Sequence, residues 1–186
     1  MGLDRGGISA MTAAAAAFRA EEATLSAVAD PFVLAEANIN PTTGLSTDYL
    51  NHFNEAVMLL EMVPSMPECH QDLLAWQPTT YLEHFAASHL RQRALAIAAY
   101  DLAEPSTRIQ FDGLCETMSA TVMAARAALS ADVTSTATAA IADQAATTLK
   151  PLIARTSAVI HGFDLSRGET PSTQDSQAAV DALLEP

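Results

Sequence analysis

Residues 47–53 read T-D-Y-L-N-H-F and residues 79–85 read T-T-Y-L-E-H-F, so a threonine, tyrosine, leucine, histidine and phenylalanine recur in the same register at two places. Histidine is the member of that set with proton-transfer and metal-ligating chemistry near neutral pH. The carboxylates nearest to it are Glu55, three residues after His52, and Glu83, immediately before His84. Helical bundles assemble metal centres from inward-facing carboxylates and histidines, commonly with Glu-x-x-His on one helix. The chain has the reversed order once, His52-x-x-Glu55, and no Glu-x-x-His. His52, Glu55 and His84 are therefore the candidate metal ligands. His89 is no partner for His84, because five residues along a helix turn the side chain about 140° away.

The remaining reactive side chains form weaker constellations. Cys69 and His70 are adjacent, so on a helix they diverge, and Cys115 is far away in sequence. A zinc centre or a Cys–His catalytic pair needs convergence that this spacing does not offer. Ser88-His89 lacks an acidic residue at a suggestive distance, and neither a G-x-S-x-G elbow nor a Gly-rich phosphate loop occurs. Arg91 and Arg93 make S-H-L-R-Q-R the most cationic point of the chain, with Glu83 or Asp101 as expected partners. No cofactor is implied by any of these sets, and the balance leans away from an enzyme.

The elements that carry these residues are helical. Tyrosine and phenylalanine four apart share a helix face, leucine lies beside them, and histidine sits at the margin. The repeated word thus reads as a helix start: a hydroxyl cap (Ser46 or Thr47, then Thr79 or Thr80) followed by an aromatic first turn. Tyr49, Phe53, Ala56, Val57, Leu60 and Val63 continue the first face until Pro64 and Pro67 end it. The second copy opens a long helix expected from about 80 to 103. Residues 106–129 follow, with Phe111, Cys115, Met118, Val122, Ala125 and Leu129 in alternating steps of four and three. A last long helix spans about 137–162, with Pro151 as an expected kink. Shorter helices are expected over 12–29, after the Asp30-Pro31 cap, and over 68–76, and I-N-P-T-T-G at 39–44 is a loop.

No stretch alternates at the strand period of two, so the expected fold is all-α: a helical bundle of about five to six helices built around three long ones. Residues 1–11 read as a mobile leader or alternative start, 12–163 as one domain, and 164–186 as a flexible polar tail with a short helix at its end. The apolar run I-S-A-M-T-A-A-A-A-A-F is separated from the A-V-A at 27–29 by Arg19, Glu21 and Glu22, which argues against a secretory signal. No segment is apolar for long enough to span a membrane. Two isolated cysteines suit a cytoplasmic chain.

Twenty-two acidic residues against nine basic ones give a net charge of −13, which repels phosphate backbones and excludes nucleic acid as a direct partner. A neutral or basic protein partner is compatible with it. Between Ala131 and Ile160 only Asp132, Asp143, Lys150 and Arg155 are charged. So uncharged a helix, beside a heptad-like seam, leads to the expectation of a homodimer contacting through residues 106–162. Two functions follow from the sequence. The first is a non-enzymatic helical protein acting through protein–protein interaction as a homodimer. The alternative is a bundle binding a metal ion or small ligand near the two Tyr-Leu-x-His-Phe helix starts.

Overall fold

The computed structural model of the protein describes residues 16–19, 22–130 and 134–165. The expected leader and nearly all of the expected tail lie outside the described residues. Within them the fold is all-α, with one isolated antiparallel bridge between Ile39 and Ser46 and no strand. Residues 16–19 and 22–28 are helical. Phe18 and Leu25 are exposed, while Ala27 and Val28 pack against the core.

Helix α1, Pro31–Glu36, starts as its sequence dictates: the Asp30 carboxylate accepts from Phe32 N at 2.9 Å, and Pro31 occupies a first-turn position that needs no N–H donor. The loop at 39–46 is folded inward. The Asn40 side chain accepts from Thr42 N and Thr43 N, at 2.8 and 3.2 Å. Thr43 Oγ1 donates to the Ile160 carbonyl at 2.6 Å, and Ile39, Thr43, Leu45 and Ser46 are all buried. Gly44 is required at the turn. Its φ is +71°, and a β-carbon there would stand 2.6 Å from the Ala99 carbonyl oxygen.

A 3₁₀ turn, Thr47–Tyr49, capped by Ser46, leads into α2, Leu50–Met62. The face expected from the sequence is the buried one, from Tyr49 and Phe53 to Leu60 and Val63. Helix α3, Cys69–Ala75, is short and gives way to extended chain at Trp76, before Pro78. Helix α4, Tyr81–Ala87, opens on a capping box: Glu83 N donates to Thr80 Oγ1 at 3.2 Å, and Thr80 N donates back to the Glu83 carboxylate at 2.9 Å.

The single helix expected over 80–103 is two helices. Helix α4 stops at Ala87, and α5 begins at Arg93 and ends at Leu102. Ser88 is extended, and its hydroxyl donates to the Phe85 carbonyl at 2.9 Å. A serine that bonds its own preceding turn competes with helix continuation. The Arg93 guanidinium then donates to the Ser88 carbonyl at 3.0 Å, which fixes the corner.

Helices α6, Pro105–Leu129, and α7, Ser135–Ile160, are the two longest. Glu104 caps α6 by accepting from Ser106 N and Thr107 N, and Thr134 caps α7 by accepting from Ala137 N. Helix α7 runs unbroken through Pro151. It packs against both α6 and α2, so α2 rather than the expected 80–103 helix completes the long-helix core. All six seam residues of α6, Phe111 to Leu129, are buried, and they share one core with α7 residues such as Ala145 and Leu149. Burying each such large apolar side chain contributes about 1.5–3 kcal/mol, and this is what holds a bundle with so few charges together. The chain stays on the bundle through Leu165, whose N–H donates to the Gln110 side-chain oxygen at 3.1 Å.

Candidate functional site

The two copies of Tyr-Leu-x-His-Phe meet. Tyr49 and Tyr81 lie 5.5 Å apart between ring centroids, and Phe111 from α6 stands 5.8 Å from the first and 5.6 Å from the second. Three rings in tilted and edge-on contact are the arrangement that aromatic quadrupoles favour. Phe53 packs edge-on to Tyr49, Phe85 packs on Tyr81, and Tyr100 stacks on Tyr81 at 4.8 Å.

Each tyrosine hydroxyl reaches the chain just before the other's helix. Tyr49 Oη donates to the Thr79 carbonyl at 2.5 Å, and Ser46 N donates to Tyr81 Oη at 3.0 Å. The repeated word is thus a pair of mutually fastened helix starts. Burial is the largest influence on both phenols and pushes them far above the usual tyrosine value, so both remain neutral donors and acceptors.

The histidines follow their tyrosines to the same place. The rings of His52 and His84 are 6.3 Å apart. His52 stacks on Trp76 at 4.5 Å, and the Trp76 indole N–H donates to the His52 carbonyl at 3.1 Å. His52 Nε2 is buried without a hydrogen-bond partner. Burial, then the neighbouring His84, lowers the pKa of His52, opposed by a backbone hydrogen bond at Gln77. Burial also lowers that of His84, opposed by Asp48.

Of the candidate metal ligands, the fold brings His52 and His84 together and leaves Glu55 on an exposed face of α2. Among the described residues no group of three or more His, Cys, Asp or Glu side chains is placed to hold a metal ion. Two imidazoles without a third ligand, one of them stacked on an indole, pack as aromatic rings do. Cys69 is buried and His70 Nε2 has no partner. Ser88 bonds a backbone carbonyl, and Arg91 is exposed.

Beside the tyrosine pair lies a cavity of about 590 Å³. Its lining runs from Pro78 through Glu83, takes in Tyr49 and Tyr100, and is completed by Phe111, Asp112, Cys115, Glu116 and Ser119 of α6. Tyr49, Tyr81, Phe111 and Cys115 are almost fully buried, while Leu82, Glu83 and Glu116 are exposed. Tyr100 Oη lies 2.9 and 2.8 Å from the two Asp112 carboxylate oxygens and donates to that group. Asp112 is half-buried, and its burial raises its pKa against the opposing effects of Tyr100 and Arg108. The Arg108 guanidinium sits over the Tyr100 ring, 5.7 Å from its centroid. Burial first, then Asp112 and Glu116, push the Cys115 thiol far up, which keeps it protonated.

A second depression of similar volume lies between α2 and α7, where Asn51, Asn54, Lys150 and Ser157 line it without any aromatic ring. The aromatic cavity is the one that offers both shape-fitting rings and convergent polar groups.

Sequence reasoning finds the tyrosines and histidines through the repeat, and Phe111 and Cys115 as seam residues. It misses Tyr100, Asp112, Glu116 and Ser119 as site residues. The one available signal is Asp112, a carboxylate immediately beside the apolar seam position Phe111. No known protein family, curated protein or solved structure matches this chain.

Proposed function

We propose that the protein is a non-enzymatic binder of a small organic molecule, held in the cavity that the two Tyr-Leu-x-His-Phe helix starts share with α6. The observation that carries this is the lining itself. Four aromatic rings line it, Tyr49, Tyr81 and Tyr100 from outside α6 and Phe111 from α6 itself, and Asp112, Glu116 and Ser119 of α6 add polar groups. Rigid rings with a few oriented polar groups are the common composition of small-molecule sites. Binding is favoured over catalysis by the state of the reactive groups. The thiol is protonated, and the half-buried carboxylate is engaged by a tyrosine hydroxyl.

The test is a fragment screen read by amide chemical shifts. Hits should perturb Tyr81, Asp112 and Ser119 together, and Ser119→Trp, which fills the half-buried α6 side of the cavity, should abolish them while the helical signal is retained. Hits that leave those amides unmoved, or none from a diverse library, would refute the proposal.

Self-association is a second reading, favoured by one observation. The outer groove between α6 and α7 is lined by Thr121, Ala124, Ala128, Gln144 and Thr148, uncharged and mostly small residues that let another helix approach closely. The buried seam from Phe111 to Leu129 is satisfied inside one chain, so a homodimer would use this outer groove. Sedimentation at micromolar concentration tests it, with Ala124→Glu expected to abolish dimerisation; a monomeric wild-type chain would end the idea.

A further inference from the structure

We propose that the ligand of this cavity is an organic cation, an amine protonated at neutral pH that presents its charge to Asp112 and Glu116 and its carbon skeleton to the tyrosine rings. The inference rests on the cavity being a binding site and adds its charge and chemical class.

Three carboxylates line the cavity, those of Glu83, Asp112 and Glu116, and no Lys, Arg or His is among the lining residues. They are not equivalent. Glu83 is held in the capping box, where the Thr80 backbone and hydroxyl bonds keep its carboxyl below the ordinary range and ionised. Glu116 is exposed at the rim. Asp112 is the innermost charge. It has a neutral hydroxyl, Tyr100 Oη, as its hydrogen-bond donor, and its burial is uncompensated by an ion pair within bonding distance among the described residues. A half-buried carboxylate in that condition gains from any cation that reaches it.

The aromatic side of the cavity favours the same sign of charge. Ring faces are negative, and an ammonium or guanidinium is attracted to them electrostatically as well as by contact. The chain itself already places one cation here, the Arg108 guanidinium over Tyr100. Arg108 is outside the cavity lining but interacts with Asp112, so it competes with a bound cation for the same field. An anionic ligand would meet Glu83 and Glu116 at the rim and Asp112 inside, with the Arg108 guanidinium that acts on Asp112 as a counter-charge. The two ligand classes therefore predict opposite effects of removing Arg108.

Three probes of nearly the same shape separate the cases: phenethylammonium, 2-phenylethanol and phenylacetate, titrated against the full chain by amide chemical shifts at neutral pH. Phenethylammonium should bind saturably at Tyr81, Asp112 and Ser119, at least about tenfold more tightly than 2-phenylethanol. Asp112→Asn, which still accepts from Tyr100, and Glu116→Gln, at an exposed position, should each weaken the cation by a larger factor than 2-phenylethanol. Arg108→Gln should tighten the cation. Affinity for phenethylammonium should also rise with pH as Asp112 ionises.

Equal binding of phenethylammonium and 2-phenylethanol would overturn the cation assignment and leave the cavity standing as a site. Preference for phenylacetate, lost in Arg108→Gln, would overturn it in favour of an anion. If none of the three binds while neutral library fragments do, the cation assignment alone fails. If nothing binds there at all, the cavity reading fails with it.

Discussion

Tyr49 and Tyr81 carry the same hydroxyl but protect groups of different burial. Ser46, whose N–H donates to Tyr81, is buried, whereas Thr79, whose carbonyl accepts from Tyr49, is half-buried. Leaving a buried polar group unpaired costs about 1–3 kcal/mol, and solvent relieves part of that where water can reach. Tyr81→Phe is therefore expected to lower the unfolding free energy more than Tyr49→Phe, by about 1–3 kcal/mol against about 1 kcal/mol. Urea unfolding of both variants measures the order. The histidines give a pH dependence. Burial holds both His52 and His84 below the ordinary value of 6.5, so the folded state favours their neutral forms. Their contribution is complete above pH 6.5 and is lost as pH falls below it, because the unfolded chain takes up protons first. Unfolding midpoints should decline through that acid range, and His52→Gln should flatten the decline. Grouping His52 and His84 in one candidate site presumed that they meet, but the spacing did not require it. The repeat placed each at the margin of its own helix face, but only the docking of Trp76 and the crossed tyrosine bonds bring those margins together. The same holds for Tyr100 and Asp112, which are twelve residues apart across the turn between α5 and α6 and have no local rule to link them.

Helix boundaries were written more plainly. Asp30-Pro31, Thr80 with Glu83, and Glu104-Pro105 are local signals, and the chain obeys each of them. Thr80→Ala should remove the bond from Glu83 N to the Thr80 hydroxyl, keep the backbone N–H of residue 80 on the Glu83 carboxylate, and cost about 1 kcal/mol. Because α4 forms one side of the aromatic cavity, the same variant should loosen ligand affinity, which calorimetry separates from stability. The break at Ser88 escaped because Ala86-Ala87 and Leu90 look helix-compatible, and the deciding interactions, Ser88 on Phe85 and Arg93 on Ser88, are a competition that helical propensity alone does not rank. Gly44 belongs to the same class of local necessity. Gly44→Ala combines a left-handed backbone with a clash on the Ala99 carbonyl, and more than about 1 kcal/mol of stability should be lost. Thermal unfolding followed by circular dichroism reports both changes.

At the scale of the whole molecule, the all-α architecture follows from the absence of period-two patterning and from the seam of α6. What the pattern did not say is which surface that seam meets. Alternating steps of three and four are equally satisfied by a neighbour in the same chain or in a second one, and here α7 and the paired tyrosines of the same chain bury them. Val122 is fully buried, so Val122→Glu places an unpaired carboxylate in the core and should cost about 3–5 kcal/mol, abolishing the cooperative transition. Glu116→Lys, at an exposed position, should keep the fold and reverse one charge at the cavity rim. Circular dichroism distinguishes the two outcomes directly.

The buried bond from Thr43 to the Ile160 carbonyl, with α2 resting on α7, has a consequence for the order in which a ribosome delivers this chain. The loop at 39–46 and the helix that follows it emerge early, yet the Ile160 carbonyl that Thr43 bonds is translated 117 residues later. Nascent chains that end before residue 135 have no α7 to cover Leu50, Val57 and Leu60. They must wait with those side chains unpaired, dependent on whatever shields apolar surface during synthesis. Stalled chains should therefore stay protease-sensitive in α2 until α7 has cleared the exit tunnel, and then become resistant in one step.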